Sequence, residues 1–161
     1  LEKDAVSELH DMIARYAQPG TVDWIGTRAE RRADMLSVPR IAVTLAGLEG
    51  DHARPGKRAV TLMQGEHLAP IGAYLGQGPV TPAQMRRNIV IRGLNLGSLK
   101  GREITIGTVT LRLSVMCAPC SRMEETFGHG GYAAVRGHGG WCAEVVRPGV
   151  IALGDAVTPV D

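Results

Sequence analysis

From Thr108 to Val115 apolar and polar residues alternate without a break, with Val109, Leu111, Leu113 and Val115 on one side and Thr108, Thr110, Arg112 and Ser114 on the other. A period of two over that length fits a strand with one face in a core, and it excludes a helix, whose apolar residues recur at three and four. The whole apolar face, Val115 included, is predicted to be buried. The run stops at Cys117-Ala118-Pro119-Cys120, and Ser121 to Phe127 then reads as a short helix with acids in its early turns. A C-x-x-C pair therefore falls between a half-buried strand and a helix start. At such a start the unpaired N–H groups and the helix dipole favour a thiolate at Cys120.

The rest of the chain repeats the strand signal in shorter pieces. There are 21 glycines among 161 residues, well above the usual ~7%, and frequent tight turns between short strands favour a β-rich barrel. Strands are predicted over 21–26, 40–45, 59–63, 88–92, 103–106, 109–115, 141–146 and 156–160. Gly107-Thr108 suits a two-residue type II′ hairpin turn. Helices are predicted over 5–17, where Val6, Leu9, Ile13 and Tyr16 form a stripe with Met12 beside them, and over 64–74. Thr81-Pro82-Ala83-Gln84 has an N-cap followed by proline, the pattern of a one-turn helix. Residues 129–140 hold five glycines and two histidines and read as a long mobile loop.

Bulk composition removes several function classes. The formal net charge is only +2, too small to argue for nucleic acid or an anionic membrane surface. No apolar run approaches the ~18 residues of a membrane span, and the charged start Leu1-Glu2-Lys3-Asp4 has no signal-peptide core. Three cysteines are too few for a disulfide scaffold, so a reducing cytoplasm is the expected compartment.

The C-x-x-C pair has several readings. A zinc site needs two more ligands, and Cys142, His129 and His138 form no second C-x-x-C or H-x3–5-H unit. A thioredoxin-like dithiol would follow a strand within alternating βαβ units, which are missing here. Two half-buried cysteines acting as small apolar residues is the plainest reading. Arg86-Arg87-Asn88 and Lys57-Arg58 open strands and suit a phosphate or another anionic tail. The Arg28, Arg31 and Arg32 connection reads as a solvated loop. Asp51-His52 lies in a glycine-rich loop where a histidine can move protons.

Together these stretches resemble the MOSC domain, the C-terminal domain type of molybdenum cofactor sulfurases, and in particular its small standalone members. The resemblance is carried in order by Gly47 to His52, Gly56 to Leu62, Arg86 to Leu96, Leu99 to Gly107, Cys117 to Glu124 and Gly149 to Val157. It implies a mainly β fold, a closed barrel similar to the small barrel of pyruvate kinase with a few peripheral helices. The N-terminal helix would occupy residues 1–19 and the barrel domain 20–160. It implies a molybdenum–pterin cofactor, not pyridoxal phosphate, with Cys120 as the metal ligand and catalytic centre and Cys117 secondary. Asn88, Arg87, Arg86, Arg58 and Lys57 would bind the cofactor, and Asp51 and His52 would orient the site or move protons. The implied activity is reduction of small N-hydroxylated bases with electrons from a partner reductase, with no nucleic acid or membrane partner. Two other roles remain open: a sulfur carrier holding a persulfide on Cys120, and a non-catalytic module that binds or hands over the cofactor.

Overall fold

The computed structural model describes residues 4–118 and 121–161. The first elements are α1 (Ala5–Ala14), β1 (Gly20–Thr27), β2 (Leu36–Ser37), β3 (Arg40–Thr44), β4 (Gly47–Leu48) and β5 (Val60–Gln64). There follow α2 (Leu68–Tyr74), α3 (Pro82–Met85), β6 (Ile89–Arg92), β7 (Glu103–Ile106) and β8 (Val109–Met116). The chain ends with α4 (Ser121–Phe127), α5 (Gly131–Val135), β9 (Trp141–Arg147), β10 (Gly149–Ala152) and β11 (Ala156–Pro159).

Seven strands close into a barrel in the order β1-β11-β7-β8-β9-β5-β6 and back to β1, with β2 added on β1. Every neighbouring pair in it is antiparallel except β5 with β6. A parallel pair cannot be joined by a hairpin, and the connection from β5 to β6 accordingly carries α2 and α3. A separate sheet, β10-β3-β4, lies beside the barrel. Closure leaves few free strand edges, the usual hazard of a β protein.

Alternation along the strands divides the apolar residues between two cores. Leu62, Ile89 and Ile91 join Ile104, Leu111 and Leu113 in the main cluster. Their sequence neighbours Met63 and Val90 point the other way and meet Leu68, Ile71, Met85, Met123 and Val135 of the helices. One strand pair thus holds the barrel interior on one face and α2 to α5 on the other.

The hairpin forms as expected, with Ile106 opposite Val109 and Gly107 at φ +57 while Thr108 keeps an ordinary φ. Val109, Leu111 and Leu113 are fully buried, but Val115 is 37% exposed, contrary to the strict alternation. The β8–β9 register shifts between Leu113 and Met116, and such an irregularity turns later side chains to the other face. The predicted mobile loop instead contains α5, whose Ala134 and Val135 are buried. The helix over 5–17 stops at Ala14, and none of its residues is buried. Gly20 to Thr27 and Trp141 to Arg147 extend slightly beyond their predicted strands.

Candidate functional site

Three stretches far apart in sequence line one cavity of about 210 Å³. Arg28, Arg31 and Arg32 follow β1, Arg86 and Arg87 join α3 to β6, and Ser121, Arg122, Met123 and Glu125 come from α4. Six guanidiniums thus face one carboxylate.

Local sequence sets up this convergence. Thr81 and Gln84 form a reciprocal capping box around α3, with proline in its first turn. The helix ends on Arg86, whose φ of +59 is the one left-handed value among the described non-glycine residues. That conformation costs an ordinary residue roughly 1–2 kcal/mol. Tertiary bonds hold it: Arg28 Nη1 donates to the Arg86 carbonyl at 3.2 Å, and Arg86 Nη2 donates to the Ala33 carbonyl at 2.8 Å. Arg86 therefore ties down the segment after β1.

Arg28 is gripped from its other side. Its N–H donates to Asp51 Oδ1 at 2.9 Å, and the His52 N–H donates to its carbonyl at 2.7 Å. Its Nε is buried without a hydrogen-bond partner among the described residues. Arg87 Nε donates to the Gly139 carbonyl at 2.7 Å, and Arg122 Nη2 donates to the Arg32 carbonyl at 3.1 Å. A guanidinium has five N–H donors, so these framework bonds leave donors over. An excess of fixed cations in a concave site is suited to an anion with several oxygens.

Lys57, Arg58 and His52 do not line this cavity. They line a wider depression of about 700 Å³ with Arg54, and Arg31 is common to both linings. The expected convergence of Arg58 with Arg86 and Arg87 in one cleft is therefore split in two, because Lys57 and Arg58 sit on the turn before β5. Asn88 also lies off the lining. Its Oδ1 accepts from the Thr61 N–H at 3.0 Å and the Thr61 hydroxyl at 3.2 Å, while its Nδ2 donates to the Gly26 carbonyl at 3.2 Å. These bonds pin β1, β5 and β6 together behind the arginines. Asp51 acts on the Arg28 backbone, and His52 is exposed.

Cys120, the expected metal ligand and nucleophile, lies outside the described residues; its neighbour Ser121 lines the arginine cavity. Cys117 is buried, and its N–H donates to the Gly140 carbonyl at 2.8 Å. Among the described residues no group of three His, Cys, Asp or Glu stands close enough to hold a metal, and no helix is long and apolar enough to cross a membrane. The sequence reads Arg28, Arg31 and Arg32 as a solvated loop and gives Arg122 no separate role, yet all four line the cavity. A usable signal was the spacing of Arg28, Arg31 and Arg32 immediately after a strand, the same strand-end placement that singled out Arg86-Arg87.

No curated protein matches this chain. Among solved structures it is similar to the YuaD protein of Bacillus subtilis, with a TM-score of 0.76 at 16% identity, over 87% of this chain and 94% of that one. YiiM from Escherichia coli aligns with a TM-score of 0.69 at 23% identity, over 90% of this chain and 71% of that one. YiiM from Geobacillus stearothermophilus gives 0.73 at 21% identity, over 89% and 76%. At these identities the likeness establishes the fold. The family model of the MOSC domain matches residues 48–158, a stretch running from β4 through β11 and holding Arg86, Arg87, Arg122 and the C-x-x-C pair, and the chain belongs to the MOSC domain family.

Proposed function

We propose that this chain binds a molybdenum–pterin cofactor and, with electrons from a partner reductase, reduces N-hydroxylated bases or similar small compounds. The observation that carries the reading is the arginine cavity lined also by Ser121, the residue after the C-x-x-C pair, with Arg28 Nε buried and without a hydrogen-bond partner among the described residues. That donor set fits the phosphate of such a cofactor, which needs charge-assisted hydrogen bonds. Arg28, Arg86, Arg87 and Arg122 would hold the phosphate, and the Cys120 thiolate would be the protein's soft ligand to the metal. When bound, the group supplies a metal centre that accepts an oxygen atom and exchanges two electrons.

The remaining work falls to residues of this chain. Reductive N–O cleavage takes up two protons and releases water. His52, exposed in the adjoining depression, is the proton donor in this reading. Asp51 is a positioning residue, since its carboxylate fixes the Arg28 backbone. Asn88 and Thr61 keep β6 in place beneath Arg86 and Arg87. Lys57 and Arg58 add positive potential at the entrance.

The test is expression in a host that makes the cofactor, with molybdenum and pterin both measured on purified protein. Wild type should carry both in near-equal amounts. Cys120→Ser should lose the metal, and the double variant Arg28→Gln, Arg122→Gln should lose the pterin. Wild type free of both, or Cys120→Ser retaining the metal, would overturn the reading.

A further inference from the structure

A second chemical site lies between β8 and β9. Cys117 Sγ stands 3.2 Å from Cys142 Sγ. The register shift between Leu113 and Met116 creates this contact, because it lets the end of β8 lean on β9 while the Cys117 N–H holds the Gly140 carbonyl. A disulfide has an S–S bond of about 2.05 Å, so roughly 1.2 Å of approach separates the pair from one. Cys117 has already left the β8 ladder, which makes that small movement available without breaking strand pairing.

The surroundings favour reaction over inert packing. Either thiol can donate to the other across this contact; with Cys117 as donor, and with Arg58 and Arg87 adding positive potential, Cys142 ionises more easily than a free thiol, at about 7, although burial opposes this. Cys117 is pushed up, first by that donated hydrogen bond and then by burial. In that arrangement Cys142 is the nucleophile and Cys117 the protonated partner. Their exposures of 5% and 6% favour small reagents over a protein disulfide.

We propose that Cys117 and Cys142 form a redox-active dithiol, oxidised to an intramolecular disulfide by hydrogen peroxide and restored by a small dithiol. In the first step the Cys142 thiolate attacks one peroxide oxygen and the O–O bond breaks. This gives a sulfenic acid on Cys142 and hydroxide, which takes up a proton to become water. In the second step the Cys117 sulfur attacks the sulfenic sulfur, the S–S bond forms and the S–O bond breaks. The Cys117 proton leaves with the hydroxide as a second water. The sum is two thiols and one peroxide giving one disulfide and two waters. The couple holds two electrons and two protons, the same count as reductive N–O cleavage, and Cys117 is three residues before Cys120 in sequence. The proposal stands without the cofactor reading, because it concerns the protein's own thiols.

The experiment treats wild type and Cys120→Ser with equimolar hydrogen peroxide, blocks free thiols, and maps tryptic peptides under non-reducing conditions. Trypsin separates peptide 113–122 from peptide 137–161, since Arg147 precedes Pro148. Both proteins should yield the two peptides linked, two hydrogens lighter than their sum, and dithiothreitol should release them. Fragmentation of the wild-type species should place the link at Cys117. A link from Cys120 in wild type that vanishes in Cys120→Ser would overturn the proposal, as would recovery of Cys142 unlinked or oxidised beyond the sulfenic stage in both proteins.

Discussion

Replacing Asn88 by alanine should destabilise the fold more than it changes any surface property, and the size follows from its bonds. The side chain is 6% exposed and satisfies the Thr61 N–H and the Gly26 carbonyl, each near 3 Å. The Thr61 hydroxyl, which also accepts from the Asn88 N–H at 2.9 Å, can rotate to another partner. Truncation strands two polar groups at roughly 1–3 kcal/mol each, so the loss should be about 4 kcal/mol. For a chain of this size that corresponds to a fall in Tm on the order of 10 °C. Urea unfolding followed by tryptophan fluorescence measures it, since Trp24 and Trp141 are both half-buried. Asn88→Asp sharpens the test. At neutral pH it keeps the acceptor for Thr61 but sets an oxygen against the Gly26 carbonyl. The introduced carboxyl should therefore titrate above its ordinary value near 3.9. The folded state then binds the proton more tightly than the unfolded chain, so this variant's deficit relative to wild type shrinks as pH falls through that raised pKa and is full above it. An Asn88→Ala loss under about 1 kcal/mol, or a deficit in Asn88→Asp that does not change between pH 7 and pH 4, would refute the clamp.

Three more outcomes are expected. Inorganic phosphate should bind the arginine cavity saturably, and Arg28→Gln or Arg122→Gln should each weaken it about tenfold, the effect of losing one charge-assisted bond of ~1.5 kcal/mol; isothermal titration checks this against Arg112→Gln, whose side chain pairs with Glu103 and Glu144 and should leave binding unchanged. His67 titrates below its ordinary value through burial and then the neighbouring His138, whose ring centroid is 4.9 Å away. The fold therefore favours neutral His67, stability is present above about pH 6.5 and is lost as pH falls, and the urea midpoint of His67→Gln should drop less than that of wild type between pH 7.5 and 5.5. Leu113→Ala should cost about 2–5 kcal/mol, while Val115→Thr should stay within about 0.5 kcal/mol; equal losses would contradict the register shift.

How far the sequence could be read depended on the range of the interaction that decides each feature. Strand identity depends on neighbours two residues apart, so β7, β8 and their Gly107 turn were plain from alternation. Val115 was misplaced because its orientation depends on how β8 pairs with Trp141 and Ala143 of β9, information absent from the run itself. The stretch 129–140 looked mobile because glycine was counted as freedom. In the fold Gly140 is fixed: it has φ +92, and a Cβ there would lie 2.1 Å from the Leu62 carbonyl. Such a position requires glycine for close backbone approach, which is order, not mobility.

The site shows the same division. Arg86 and Arg87 stand out by adjacency, but their partners Arg28, Arg31, Arg32 and Arg122 reach the cavity only when the barrel closes and α4 packs on α5 with Met123 in the helix-side core. The thiol pair is the sharper case. C-x-x-C spacing drew attention to Cys117 with Cys120, whereas the contact in the fold joins Cys117 to Cys142, 25 positions away, across a strand irregularity. A spacing motif records what local geometry allows; a register shift decides which thiols meet. If Cys117 and Cys142 are set by that shift, an extra residue that restores strict β8–β9 pairing should separate the sulfurs and abolish the linked peptide while leaving the arginine cavity able to bind phosphate.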